Sequence, residues 1–286
     1  MLPVALGLTA ALSIGVSNIV AGLASRRLTP LTVGFWAQAT GMVLCALLLL
    51  LLRPPLLAGQ IPWGLIAGLA GGAGMVVFYR AMAVGAISLV SPITACAVVF
   101  PVLYSVASGE NPTPLATAGI VAIIGGIVLA SLQPVPVHGD LTDTGPAGDR
   151  QAMTLAVLAA MLFGAFFILI DLAPAASGWG TLWTAAAVRC SGFSVQLLLV
   201  LLGPRRLTSP GRYAPWVVLA GTLDLFSLIL INFGATTDSY GIVTALVGLY
   251  PVVAMLLGVV ALRERLTRIQ TSGAVLAMAG VLLVSV

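Results

Sequence analysis

No lysine occurs in the 286 residues, and histidine occurs once. Charged side chains make up 7% of the chain, against roughly 25% in an ordinary soluble domain. A chain so poor in charge cannot cover a water-facing surface. The lone histidine, His138, and three well-separated cysteines, Cys45, Cys96 and Cys190, lack metal-ligand spacing. No HExxH, GxSxG or P-loop pattern occurs. The expectation is therefore a protein that is not an enzyme, holds no cofactor or metal and does not bind nucleic acid. The cysteines, all inside apolar runs, read as small buried hydrophobes.

What is present is apolar. Hydrophobic residues reach 60% and the mean hydropathy is +1.16. A helix that crosses a bilayer needs about 20 mostly apolar residues. Ten such runs fit, at 3–24, 31–52, 62–84, 88–108, 114–132, 152–173, 179–203, 213–236, 240–262 and 267–286. The first run has no basic segment ahead of it and reads as a span rather than a cleaved signal peptide. Arg26-Arg27, Arg53-Pro54-Pro55 and Asn111-Pro112 supply turn chemistry between runs. The expected fold is all-α and polytopic, with the lipid bilayer as its surroundings.

The stretch 133–151 is the one sustained polar segment, with Pro134, Pro136, His138, Asp140, Asp143 and Asp149. It reads as a linker between two five-span units, 1–132 and 152–286. Sliding 96–131 over 250–285 without a gap gives 13 identities in 36 positions. Glu110 falls on Glu264, Thr113 on Thr267, Gly119 on Gly273, Gly126 on Gly280 and Ser131 on Ser285. Because five is odd, the second copy enters the membrane from the other side, the plan of an inverted repeat with a site near the midplane.

Arginine placement predicts the orientation. The turns after odd-numbered spans hold Arg26, Arg27, Arg80, Arg150, Arg205, Arg206, Arg212, Arg263, Arg265 and Arg268, and the alternate turns hold Arg53. The positive-inside rule then places the first set in the cytoplasm and both termini outside.

Membrane helices associate through close contact at small residues. Gly64/Gly68/Gly72 in span 3, Ala118/Ala122/Gly126/Ala130 in span 5 and Gly7/Ala11/Gly15 in span 1 repeat every four residues and predict packing seams. Ionisable groups at depth cost roughly 2.5–3.5 kcal/mol on insertion scales, which makes them functional candidates. Arg189, mid-span 7, and Asp224, mid-span 8, are the two deep charges. They read either as a neutralising ion pair or as cavity groups, with Asp224 exchanging a proton or meeting a substrate ammonium. Asp171, at the end of span 6, reads as interfacial. Ser17, Asn18, Gln38 and Asn232 need partners in a dry environment, from another helix or from substrate. Ser91-Pro92, Thr94 and Tyr250-Pro251 mark helix breaks that either kink a helix or line a cavity. Tyr79 and Trp36 offer either an aromatic wall or interfacial anchors.

Several stretches resemble the EamA type of the drug/metabolite transporter superfamily. These are Phe78-Tyr79-Arg80-Ala81-Met82-Ala83-Val84-Gly85-Ala86 with Ser88-Leu89-Val90-Ser91-Pro92, then Tyr250-Pro251, Leu262-Arg263-Glu264-Arg265-Leu266-Thr267 and Gly280-Val281-Leu282-Leu283. Gly15 and Gly164 sit where that family often has glycine, and Arg189 is similar to its recurrent arginine of spans 2 and 7. Two departures stand out: Gln38 takes the arginine's place in span 2, and Gly109-Glu110-Asn111-Pro112 lacks flanking arginines.

The resemblance implies a secondary carrier of the bacterial inner membrane that moves small, amino-acid-like metabolites, commonly outward. It would act as a monomer or homodimer, with protons as one candidate for the coupling ion. The substrate-site candidates are Ser17, Asn18, Tyr79, Ser91, Thr94, Asp224, Asn232 and Tyr250. Gly15, Pro92, Gly164, Arg189 and Pro251 are the structural or gating set. A lipid-linked sugar or nucleotide-sugar carrier and a membrane assembly factor without flux are the alternatives.

Overall fold

In hydrocarbon every backbone N–H and C=O must find a partner within the chain, and this chain satisfies them as helices. The computed structural model describes residues 2–25, 27–84, 93–94, 96–109, 111–131, 145–174, 178–202, 207–250, 252–253, 256–257 and 267–285. Each of the ten apolar runs contributes a helix. The first half holds α1 (Leu2–Ser25), α2 (Pro30–Leu52), α3 (Gln60–Val84), α4 (Val99–Ala107) and α5 (Pro114–Ser131). The second holds α6 (Gly145–Asp171), α7 (Leu182–Leu202), α8 (Ala214–Gly234), α9 (Tyr240–Val247) and α10 (Arg268–Ser285).

Local chemistry sets the ends. Thr29 Oγ1 accepts the N–H of Thr32 at 3.2 Å, with Pro30 in the first turn of α2. That helix closes at Arg53, in the left-handed region at φ 42°, with its N–H donating to Leu49 O at 2.9 Å. Pro54 then prevents its continuation. α9 stops at Val247, and Gly248 and Leu249 form a turn. Pro251 has no N–H to return to the carbonyl of Val247, which accounts for the break. α6 begins at Gly145, inside the stretch expected to be linker, because Pro146 suits a first helical turn.

The helices form two groups. α1, α2, α3, α6, α7 and α8 surround a cavity, while α4, α5, α9 and α10 pack into a second bundle around Val98, Ile123, Ile127 and Leu246. Exchanging the halves leaves the most extensive contacts unchanged. α1 packs on α8 as α6 packs on α3; α2 packs on α8 as α7 packs on α3; α1 packs on α9 as α6 packs on α4. α2–α7, α4–α9 and α5–α10 each pair with their own counterpart.

Glycines make this relation visible at atomic scale. A Cβ on Gly126 would stand 2.6 Å from Gly273 O, and one on Gly280 would stand 2.6 Å from Gly119 O. Those four residues are the pairs matched by the internal duplication. Early positions of α5 meet late positions of α10, so the two helices cross antiparallel, as inverted copies require. Gly68 and Gly221 are a second such pair. A Cβ on Gly68 would strike Ser191 Oγ and Val188 O on α7, and one on Gly221 would strike Ala37 O on α2.

The seams of spans 1 and 3 pack as expected: Gly7 lies against Leu246, Gly64 against Ala187 and Gly72 against Val195. The seam of span 5 needs correcting. Gly126 packs on α10 as expected, but Ala118 is exposed, and the rest of the packed face runs through Ala116, Gly119 and Ile123. Small residues occur at both phases, and only contact with α10 selects one. The cysteines also differ from expectation: Cys45 is buried, Cys96 intermediate and Cys190 exposed. Thiol polarity is weak enough for Cys190 to sit on the outer, apolar face. Leu50, Leu51, Leu201, Leu202 and Leu282, each at least 69% exposed, cover that face and mark it as lipid-facing.

Candidate functional site

Four-residue glycine spacing keeps α3 close to α7 along Gly64, Gly68 and Gly72. A cavity of about 330 Å³ opens between α1, α2, α3, α6, α7 and α8. Its wall is largely apolar, with Phe163, Phe166 and Phe167 of α6 facing Leu31, Met75 and Leu199. Gly34, Gly68, Gly71, Gly72 and Gly192 contribute backbone to this wall.

The polar groups concentrate at one place. Arg189 Nη1 donates to Asp224 Oδ2 at 2.6 Å and to Gln38 Oε1 at 2.7 Å. The arginine side chain is 5% exposed and the aspartate side chain 44%, so the carboxylate is the member open to the cavity. The guanidinium rests on α2, where a Cβ on Gly41 would lie 3.4 Å from its Cζ. Arg189 Nε has no hydrogen-bond partner, nor does Gln196 Oε1 further along α7. Ser227 Oγ donates to the backbone carbonyl of Asp224 at 2.8 Å, steadying that turn of α8.

Gln38 and Arg189 are equivalent positions of the two halves, as are Gly41 and Gly192. The side chains of the first pair meet directly, so the pseudo-two-fold axis passes between them. The cavity does not obey that axis. α2 lines it only over Leu31–Gln38, the N-terminal half, and α7 over Val188–Leu199, the C-terminal half. Both are the arginine-rich end of the bundle. At the other end the counterparts of Gln196 and Leu199, which are Cys45 and Leu48, pack into the core.

Each end carries a tryptophan bond. Trp36 Nε1 donates to Thr208 O at 3.0 Å, between α7 and α8, and Trp183 Nε1 donates to Pro54 O at 3.0 Å, between α2 and α3. Trp36 thus belongs to an end of the bundle rather than to the cavity. At the end away from the arginines, Gln60 adds a bond from Nε2 to Gly180 O at 2.9 Å and is fully buried.

Of the residues singled out in the sequence, Arg189, Asp224 and Gln38 come together in this cavity. Ser17 Oγ donates to Ala220 O at 2.9 Å, a bond between α1 and α8. Asn18 is exposed on the outer side of α1. Asn232 Nδ2 donates to Leu228 O at 2.8 Å, one turn back in its own helix. Thr94 is buried and Tyr250 half-buried, and neither lines the cavity. Gly15 is buried in α1, and Gly164 marks a close crossing in which a Cβ would lie 2.6 Å from Phe100 Cβ. Tyr79 lies in α3 with its side chain outside the described part, and Ser91, Pro92 and Pro251 lie outside the described residues. Sequence reasoning missed Gln196 and the three phenylalanines. Gln196 carried the same signal as Gln38, an amide inside an apolar span.

The model of the EamA-like transporter family matches residues 1–132 and 150–286. Among curated proteins none matches the chain. One solved structure, titled as the crystal structure of a protein, superposes with a TM-score of 0.78 at 17% identity, covering 98% of this chain and 95% of the other. That likeness concerns the fold.

Proposed function

The chain belongs to the EamA-like transporter family, and from that premise we propose that it carries a small zwitterion of the amino-acid class by alternating access. One observation supports this reading: the cavity's wall sets one guanidinium and one carboxylate side by side in an apolar surround. The site is neutral as a whole and has separate places for a substrate carboxylate, at Arg189, and a substrate ammonium, at Asp224. Charge–charge contacts in so apolar a cavity are strong. This reading gives Asp224 a substrate ammonium as a second cationic neighbour beside Arg189.

A lipid-linked or nucleotide-linked sugar would bring phosphate charge and call for a surplus of cations. Among the described residues of this wall Arg189 is the one cation, and Asp224 beside it balances its charge, so the site holds no surplus positive charge for a phosphate. Nothing in the cavity favours that alternative.

The asymmetry supports a direction. The cavity extends to the arginine-rich end, which the positive-inside rule assigns to the cytoplasm. A carrier at rest in that state loads from inside and exports. The bacterial inner membrane is the corresponding location.

A ligand that binds the folded state raises its apparent stability. Thermal unfolding of the detergent-solubilised protein is expected to shift upward with one or more zwitterionic amino acids and not with their N-acetyl or amide derivatives. The shift disappears in Asp224→Asn. Equal shifts with the N-acetyl derivatives contradict the zwitterion reading.

A further inference from the structure

A second cavity, of about 80 Å³, lies at the end of the bundle opposite the arginines, where the turn after α4 meets the turn between α8 and α9. Its polar wall comes from both halves: Ser105 and Asn111 from the first, Asp238 and Ser239 from the second. Ser105 is 2% exposed, and its Oγ has no hydrogen-bond partner. A buried hydroxyl without a partner is costly, which favours a bound ligand beside it. Asn111 spends its Nδ2 on Gly109 O at 3.1 Å, which leaves Oδ1 as an acceptor. Ser239 precedes α9 without a side-chain capping bond.

Asp238 on its own reads as an acidic residue complementing the N-terminus of α9. That reading leaves the orphaned hydroxyl of Ser105, on the other half, unexplained. Taken together the four residues offer hard oxygen ligands with a single negative charge. Carboxylate, amide and hydroxyl oxygens suit hard cations, and divalent ions are usually held by more carboxylates. The volume admits a small ion with one or two waters, each water taking about 30 Å³.

We propose that Ser105, Asn111, Asp238 and Ser239 form a binding site for Na⁺. The ion bridges the two halves at the end where the large cavity is shut, so its binding favours that arrangement. A carrier without a nucleotide site draws on a gradient, and this site offers a place for the ion of that gradient to act. The inference does not depend on which substrate the large cavity takes.

The test needs no substrate. Melting temperature is followed in detergent while NaCl replaces choline chloride at constant ionic strength. Wild type is expected to show a saturable rise of about 2–4 °C. Asp238→Asn, at an exposed position, is expected to fold normally and to lose the rise. Ser105→Ala is expected to match wild type in choline, since its hydroxyl has no partner to lose, and to need about tenfold more Na⁺ for half the rise. An absent rise, an equal rise with KCl, or an undiminished rise in Asp238→Asn overturns the assignment.

Discussion

Gln38 and Arg189, equivalent residues of the two inverted halves, meet at 2.7 Å where the pseudo-two-fold axis crosses the bundle. Only one of them is charged, and the charge is answered by Asp224, whose counterpart in α3 is Gly71. The two halves thus share a backbone plan and differ in the chemistry they bring to the axis. The polar site is a feature of the second half, and the first half supplies the amide that completes it.

Removing one member of this ion pair is expected to hurt more than removing both. Arg189→Met leaves Asp224 without its cation. Its cost should fall between the about 1 kcal/mol of a solvated pair and the about 3–5 kcal/mol of a buried one, because Asp224 is 44% exposed. Asp224→Asn should cost more than Arg189→Met, because it strands the more buried charge, and the double variant should recover part of the loss. Denaturant unfolding of the four proteins gives the coupling energy directly.

Two neighbouring glycines separate packing from transport. Gly68→Ala drives a Cβ into Ser191 Oγ and Val188 O and is expected to cost about 1–3 kcal/mol of stability. Gly192 has its nearest neighbour, Gly68 O, at 3.8 Å and faces the cavity. Gly192→Leu should therefore fold near normally while abolishing substrate-induced thermal shifts. Melting temperatures with and without ligand distinguish the two.

The crossing of α5 and α10 is backbone against backbone, so neither side can yield. Gly280→Ala is expected to lower stability by about 1–3 kcal/mol, whereas Gly22→Ala, with nothing within 4 Å of its Cβ, should be neutral. Yield and melting temperature of the purified variants check the pair.

Much of this architecture was legible in the sequence, and the gaps have physical causes. Ten apolar runs and the match of 96–131 to 250–285 disclosed the inverted repeat, because those spans keep one register. α2 and α7 keep another, with Gln38 and Arg189 151 residues apart, so a single ungapped offset passes over them. Arg189 and Asp224 were found because charge at membrane depth is costly. Ser17 and Asn232 carried the same kind of signal and turned out to be satisfied by carbonyls of Ala220 and Leu228. Nothing in a sequence distinguishes a hydroxyl or amide that bonds a nearby carbonyl from one that awaits a ligand. The phenylalanine wall was hidden because apolar residues line cavity, core and lipid face alike.

The asymmetry of the cavity makes Cys45 a reporter of alternating access. It is 1% exposed and occupies the position in α2 that Gln196 occupies in α7. When the halves exchange conformations, the cavity should move to the other end and uncover it. With Cys96 and Cys190 replaced by alanine, maleimide labelling of Cys45 is expected to be slow at rest and several-fold faster during substrate turnover. Labelling that ignores turnover contradicts the exchange.

Counterflow of a radiolabelled zwitterionic amino acid into proteoliposomes, using a ligand that raises the melting temperature, tests the carrier reading most directly. Wild type is expected to show saturable, transient accumulation, and Arg189→Met and Asp224→Asn should show little or none. Absence of counterflow in wild type, or wild-type rates in both variants, contradicts a carrier that works through this pair.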